Sequence, residues 1–224
     1  MPTKTRIAIL ASGRGSNMGA IADACSRGEL PAEVVLVLSN VRDAGVLANA
    51  AARALPHSCV PHTDYPDRGS FEAAMLRELR NTDVHLVVLA GFMRILTPDF
   101  IREYYGLLLN VHPSLLPKYP GLNTHQRAIE AGDREAGATI HFVTPELDAG
   151  PPIIQARVAV LPDDSADTLA RRVLHVEHEI YPMALDWCLR GRVELRDGRA
   201  WKDGAFLDES GIVHVPGAIQ STPS

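Results

Sequence analysis

Three short runs constrain the fold more than any other feature: Glu33–Ser39 (EVVLVLS), His85–Ala90 (HLVVLA) and Leu107–His112 (LLLNVH). Each is almost wholly apolar. A strand reads this way when helices bury both of its faces, as in a parallel sheet. Between these runs lie segments with helical spacing. Met18, Ile21, Ala22 and Cys25 mark one, and the alanine-rich Gly45–Ala54 a second. Phe71, Met75, Leu76 and Leu79 mark a third that ends near Arg80, and Asp99–Tyr105 is a short fourth. Arg6–Leu10 supplies a first strand and His57–Pro61 a weak third. Strand and helix therefore alternate as far as His112. This predicts an α/β fold, doubly wound, with a mostly parallel central sheet.

After Ser114 the pattern changes. Leu116–Gly121 is a loop held by prolines and glycine, and Thr124–Ala131 a short helix. Ala136–Val143 and Ile153–Val160 predict two more strands, an antiparallel extension of the sheet. Asp164–Arg190 is a long helix. Asp163, Asp164 and Ser165 are its N-cap choices, and Leu169, Val173, Val176, Ile180, Ala184 and Trp187 form its buried stripe. Pro182 is expected to kink it. Val193–Lys202 predicts a hairpin turning at Asp197-Gly198. Residues 1–203 are expected to form one domain and 204–224 a tail, frayed over Pro216–Ser224.

Charge and cysteine usage exclude several classes. The net charge is −5 with no Lys/Arg tract, so neither nucleic acid nor an anionic membrane is an expected partner. Cys25, Cys59 and Cys188 are odd in number and widely spaced, which favours reduced thiols in the cytoplasm. The N-terminus has no signal-peptide h-region, and no apolar run reaches membrane-spanning length.

Asn110 and His112 stand two apart at the end of a strand, so they face the same side, and Pro113 keeps them extended. An amide and an imidazole at the carboxyl end of a sheet strand can be a site, or merely a strand running into a loop. Asp148, in Leu147-Asp148-Ala149-Gly150-Pro151, is the acid to pair with His112, where a carboxylate favours the charged ring. The commoner use of an Asp before such a glycine is a turn. His141 lines the same cavity or is a satisfied sheet histidine. The loop after the first strand, with Gly15, Ser16 and Asn17, can cradle a phosphate at a helix N-terminus. It is not a dinucleotide fingerprint, because Met18 takes the third glycine position, and no Walker motif exists. Gly91–Leu96 offers an apolar wall for a flat heterocycle, or folds back over its own core. His175–Glu179 is not H-E-x-x-H, and no metal is expected.

Four stretches stand in one order: ASGRGSN, AGFMRIL, LNVHPSLLPKYPG and VTPELDAGPPI. Over about Arg6–Lys202 the chain closely resembles the folate-dependent formyltransferases, in the branch that formylates glycinamide ribonucleotide in purine synthesis. The resemblance implies 10-formyltetrahydrofolate as co-substrate and a phosphosugar amine as acceptor. It implies a phosphosugar-binding N-terminal half and a folate-binding, catalytic C-terminal half. Asn110, His112 and Asp148 match the family's catalytic trio. Gly15, Ser16 and Asn17 match its phosphate loop, and Glu177 a contact to the sugar substrate. Arg68, Met93, Arg94, Ile95 and Leu96 match its folate site, with Asn110, His141, Thr144, Pro145, Glu146, Leu147 and Asp148. Leu174 and His175 depart from the polar residues expected beside Glu177. The partners implied are small molecules, with a monomer or homodimer. A formyltetrahydrofolate hydrolase would keep the same trio but is expected to add an N-terminal regulatory domain. A non-catalytic phosphosugar- or folate-binding protein is the other alternative.

Overall fold

The computed structural model describes Lys4–Pro216. The elements β1 (Thr5–Leu10), α1 (Ser16–Ser26), β2 (Ala32–Ser39), α2 (Gly45–Ala52), β3 (His57–Cys59), α3 (Arg68–Asn81), β4 (Leu86–Leu89), α4 (Pro98–Glu103) and β5 (Leu108–His112) alternate as expected. The second half holds α5 (Thr124–Glu130), β6 (Glu135–Phe142), β7 (Pro152–Ala159) and α6 (Ala166–Leu189). β8 (Val193–Arg196), β9 (Arg199–Lys202), β10 (Ala205–Phe206) and β11 (Ile212–His214) follow.

Eight strands make one sheet in the order β11-β7-β6-β5-β4-β1-β2-β3. Only β6 runs against its neighbours, pairing antiparallel with β5 and β7. The chain winds outward from β1 through β2 to β3, then returns beside β1 with β4 and winds the other way. The crevice beyond the carboxyl ends of β1 and β4 is thus the switch point, where open α/β sheets bind ligands.

Strand alternation divides the apolar residues between two cores. Ile7, Ile9, Val88, Leu109 and Val111 pack on one face with Met18, Val46, Val173 and Ile180. Ala8, Leu10, Val87, Leu89 and Leu108 pack on the other with Phe71, Met75 and Phe100. Asn110 and His112 share the parity of Leu108, so they point to the second face at its carboxyl edge.

Local chemistry sets the helix starts. Asp67, Thr97 and Ser165 each accept a backbone amide at the head of α3, α4 and α6. At α6 the Thr168 hydroxyl in turn accepts the Ser165 amide, completing a capping box. Asp164 is not the cap. Arg172 grips it at 2.7 and 2.9 Å and holds its carboxyl well below the usual range. α6 runs as one helix through Pro182, whose missing amide leaves the His178 carbonyl without its helical donor. The β8–β9 hairpin turns at Asp197-Gly198, both at positive φ.

The described part of the segment, 204–216, departs from the expected tail. Ala205–Phe206 pairs with β9, and Ile212–His214 adds a parallel edge strand to β7. Strands this short carry too little alternation to be seen in the sequence; β11 takes its conformation from β7. The fraying expected over Pro216–Ser224 falls, beyond Pro216, outside the described residues. Among those described, no helix is long and apolar enough to cross a membrane.

Candidate active site

Tyr181 ties α6 to the sheet. Its buried hydroxyl bonds the Leu89 carbonyl at 2.9 Å and the Leu109 carbonyl at 3.2 Å, joining β4 and β5 to the helix. Burial raises the phenol well above its ordinary pKa, so it stays a donor.

At the carboxyl end of β5 four polar side chains meet. His112 Nδ1 lies 3.4 Å from Asp148 Oδ2, with both side chains buried. The other ring nitrogen, Nε2, donates to the Tyr119 carbonyl at 2.8 Å. A carbonyl only accepts, so that proton is fixed, and Nδ1 is the ring nitrogen turned toward the Asp148 carboxylate. The Asp148 carboxylate also accepts the Gly121 amide at 2.8 Å. The Tyr119–Gly121 backbone thus orients both partners.

Asn110 faces His141 directly across the β5–β6 pair. His141 Nδ1 donates to the Phe142 carbonyl at 2.8 Å, which leaves Nε2 to accept from Asn110 Nδ2 at 3.1 Å. Burial lowers the His141 pKa to about 4, so the ring stays neutral and keeps that lone pair. One amide proton of Asn110 is thereby spent and the second is free for the crevice. His141 Nε2 is also 4.0 Å from Asp148 Oδ1.

Asp148 reaches this position from a loop that only glycine permits. A Cβ on Gly150 would lie 1.8 Å from the Phe142 carbonyl oxygen and 3.4 Å from His141 Nδ1. Asp148 itself sits at φ 51.

The other end of the crevice is built differently. Gly15 precedes α1 at φ 80 and gives it no side-chain cap. A Cβ there would come within 2.6 Å of Val46. The first-turn amides and the helix dipole are groups of the kind that attract an anion. Asn17 turns inward and donates from Nδ2 to Glu177 Oε2 at 2.6 Å, joining α1 to α6. Burial raises the Glu177 carboxyl to about 7, and the Asn17 bond only partly opposes it. Among the described residues Asn17 Oδ1 is buried with no partner.

Met93 and Ile95, after β4, and Leu147, after β6, are large apolar side chains left exposed at this edge, while Leu96 is buried. In the second loop the Thr144 hydroxyl reaches the Glu146 carbonyl at 3.5 Å, and Pro145 and Glu146 are exposed. Arg94 is half-buried. Arg68 stands exposed at the first position of α3 and enters no ion pair among the described residues. The structure thus joins Asn110 to His141, His112 to Asp148, and Asn17 to Glu177, but ties Arg68 to none of them. Tyr119, Gly121 and Tyr181 escaped the reading of the sequence. The first two act through backbone atoms, which side-chain identity does not report, and Tyr181 looks like one more core residue on a helical stripe.

Residues 5–185 match the formyl transferase family. A phosphoribosylglycinamide formyltransferase from Haemophilus influenzae is 44% identical over 209 residues, 93% of this chain and 99% of that one. Its counterpart from Escherichia coli is 44% identical over 205 residues, 92% of this chain and 97% of that one. A solved phosphoribosylglycinamide formyltransferase from Coxiella burnetii superposes with a TM-score of 0.90 at 43% identity, covering 94% and 99% of the two chains. A solved formyltetrahydrofolate deformylase from Pseudomonas syringae gives 0.83 at 30% identity, covering 90% of this chain and 66% of that one. With a match that runs through β1–β7 and most of α6, this chain belongs to the formyl transferase family.

Proposed function

We propose that this chain transfers the formyl group of 10-formyltetrahydrofolate to the amine of glycinamide ribonucleotide, a step of purine synthesis. The observation that carries this reading is the polar cluster at the end of β5, where His112 faces Asp148 and Asn110 bonds His141. The phosphate sits on the amides at Gly15, Ser16 and Asn17, and Glu177 meets the sugar. The pterin lies against Met93, Arg94, Ile95 and Leu96 and the Thr144–Asp148 loop. Arg68 is assigned to the folate side through the family resemblance.

The substrate amine attacks the formyl carbon, and the carbonyl oxygen becomes an oxyanion. Asn110 Nδ2 donates to that oxygen, and a protonated His112, its Nε2–H held by the Tyr119 carbonyl, sets its positive charge beside it. Such groups contribute roughly a hundred- to thousandfold each in rate. Asp148 orients the ring and stabilises its charge. A new C–N bond forms to the acceptor amine, the bond to the folate nitrogen breaks, and the amine's surplus proton passes to that leaving nitrogen through His112 or water. The chain supplies no covalent nucleophile. Holding two substrates together supplies much of the remaining acceleration.

Both ligands are small molecules, and the reading takes a cytoplasmic monomer or homodimer. A second reading, hydrolysis of the formyl folate, draws on the likeness to the Pseudomonas syringae deformylase. One assay separates them. Incubated with both substrates, the protein is expected to yield formylglycinamide ribonucleotide in step with tetrahydrofolate. Steady formyl loss that ignores added glycinamide ribonucleotide would favour the hydrolase.

A further inference from the structure

We infer that Ser12 and Glu72, which lie outside the residues assigned to either substrate, are positioning residues that fix the 91–97 loop for the folate. The inference rests on the reading that this loop receives the pterin.

Ser12 lies two residues past β1, across the switch point from β4, and belongs by sequence to the phosphate-loop stretch. Its bonds run to the other substrate's loop. The Ser12 amide donates to the Gly91 carbonyl at 3.0 Å. Its hydroxyl accepts the Met93 amide at 2.8 Å and donates to Asn40 Oδ1 at 2.6 Å. Asn40 is buried just past the end of β2, so the hydroxyl is itself held in place.

The far end of the loop is held just as firmly. Glu72, on α3, is 3% exposed. One carboxylate oxygen accepts the Thr97 amide at 2.9 Å and the other the Thr97 hydroxyl. A buried carboxylate facing a loop backbone has no packing advantage over a leucine unless those bonds are needed. Thr97 in turn caps α4 through Phe100. Between the clamps only Leu96 is buried, while Met93 and Ile95 stay exposed. The peptide groups between Met93 and Leu96 are therefore held from both ends, with the Met93 and Ile95 side chains open to a ligand. A flat heterocycle with several donors and acceptors is the class such a backbone edge reads.

The test separates sequence neighbourhood from geometry. Ser12→Ala is expected to raise KM for the formyl folate roughly 5- to 10-fold, the scale of one lost hydrogen bond in a positioned loop, with KM for glycinamide ribonucleotide within about twofold. Ser12→Thr, which keeps the hydroxyl, is expected to restore most of the folate affinity. Should Ser12→Ala fold poorly, Glu72→Gln probes the other clamp, keeping an acceptor for the Thr97 amide, and should raise folate KM by a smaller factor in the same direction. A rise confined to KM for glycinamide ribonucleotide, or no change in either variant, overturns the inference. Ile95→Asp is the control for the loop's assignment. If it weakens folate binding while Ser12→Ala does not, only the inference falls; if it also leaves folate KM unmoved, the assignment falls with it.

Discussion

The two ends of the crevice solve opposite problems. At the Asn110–His112–Asp148 end the side chains already have protein partners: His112 bonds Tyr119 and faces Asp148, Asp148 bonds Gly121, and Asn110 bonds His141. At the Asn17–Glu177 end the bonding is left incomplete. Gly15 gives α1 no side-chain cap, Asn17 Oδ1 has no partner among the described residues, and Glu177 pays for burial with a carboxyl raised to about 7. The difference separates rate from affinity. Groups that act on a transition state work best when fixed beforehand. Groups that bind a substrate gain most when the substrate is what satisfies them.

The most severe way to break the first end is to remove its charge. His112→Ala and Asp148→Asn are each expected to cut turnover roughly 100- to 1000-fold while both substrates still bind; near-normal turnover in either variant would remove the assigned roles. Gly150→Ala attacks the same end through its support. The added Cβ falls 1.8 Å from the Phe142 carbonyl, so the loop carrying Asp148 must shift. A loss of about 2–3 kcal/mol in denaturant unfolding, with reduced turnover, is expected. Wild-type stability would mean that the loop is not held by that contact.

At the other end Glu177→Gln should weaken glycinamide ribonucleotide binding about tenfold, the loss of one or two hydrogen bonds to a charged group. Its stability should change in the opposite sense. The folded carboxyl, at about 7, lies above its ordinary value of 4.5, so the folded chain holds this proton more tightly than the unfolded one. That stability is complete below about pH 4.5 and is lost as pH rises through 7. Glutamine has no proton to lose. The variant should gain on the wild type between pH 5 and pH 8, by on the order of 3 kcal/mol, as thermal unfolding at the two values would report. An equal difference at both would refute the link. The mildest change, Tyr181→Phe, removes the hydroxyl from the Leu89 and Leu109 carbonyls. It should destabilise by about 1 kcal/mol and touch both ends equally, with no selective change in either KM.

The same contrast separates what the sequence displayed from what it concealed. The run LLLNVH announced both its burial and its two polar residues, because alternation fixes which way Asn110 and His112 face. The parallel sheet, with its antiparallel partner after β5, followed from apolar runs of that kind. Concealed were the contacts made through peptide groups: the Tyr119 carbonyl, the Gly121 amide, and the Met93 and Thr97 amides held by Ser12 and Glu72. Every residue has these groups, so their use depends on where the fold brings them. The strand at Ile212–His214 was hidden for a related reason. Three residues carry no period, and only β7 makes them a strand.

The separation of rate from affinity is tested most directly by measuring two quantities side by side in His112→Ala and Glu177→Gln: the single-turnover rate of formyl transfer at saturating substrates, and the Kd for glycinamide ribonucleotide. The account predicts a crossed result, with His112→Ala losing at least about 100-fold in rate at nearly unchanged Kd, and Glu177→Gln losing about tenfold in Kd at nearly unchanged rate. Parallel losses of both quantities in both variants would contradict it.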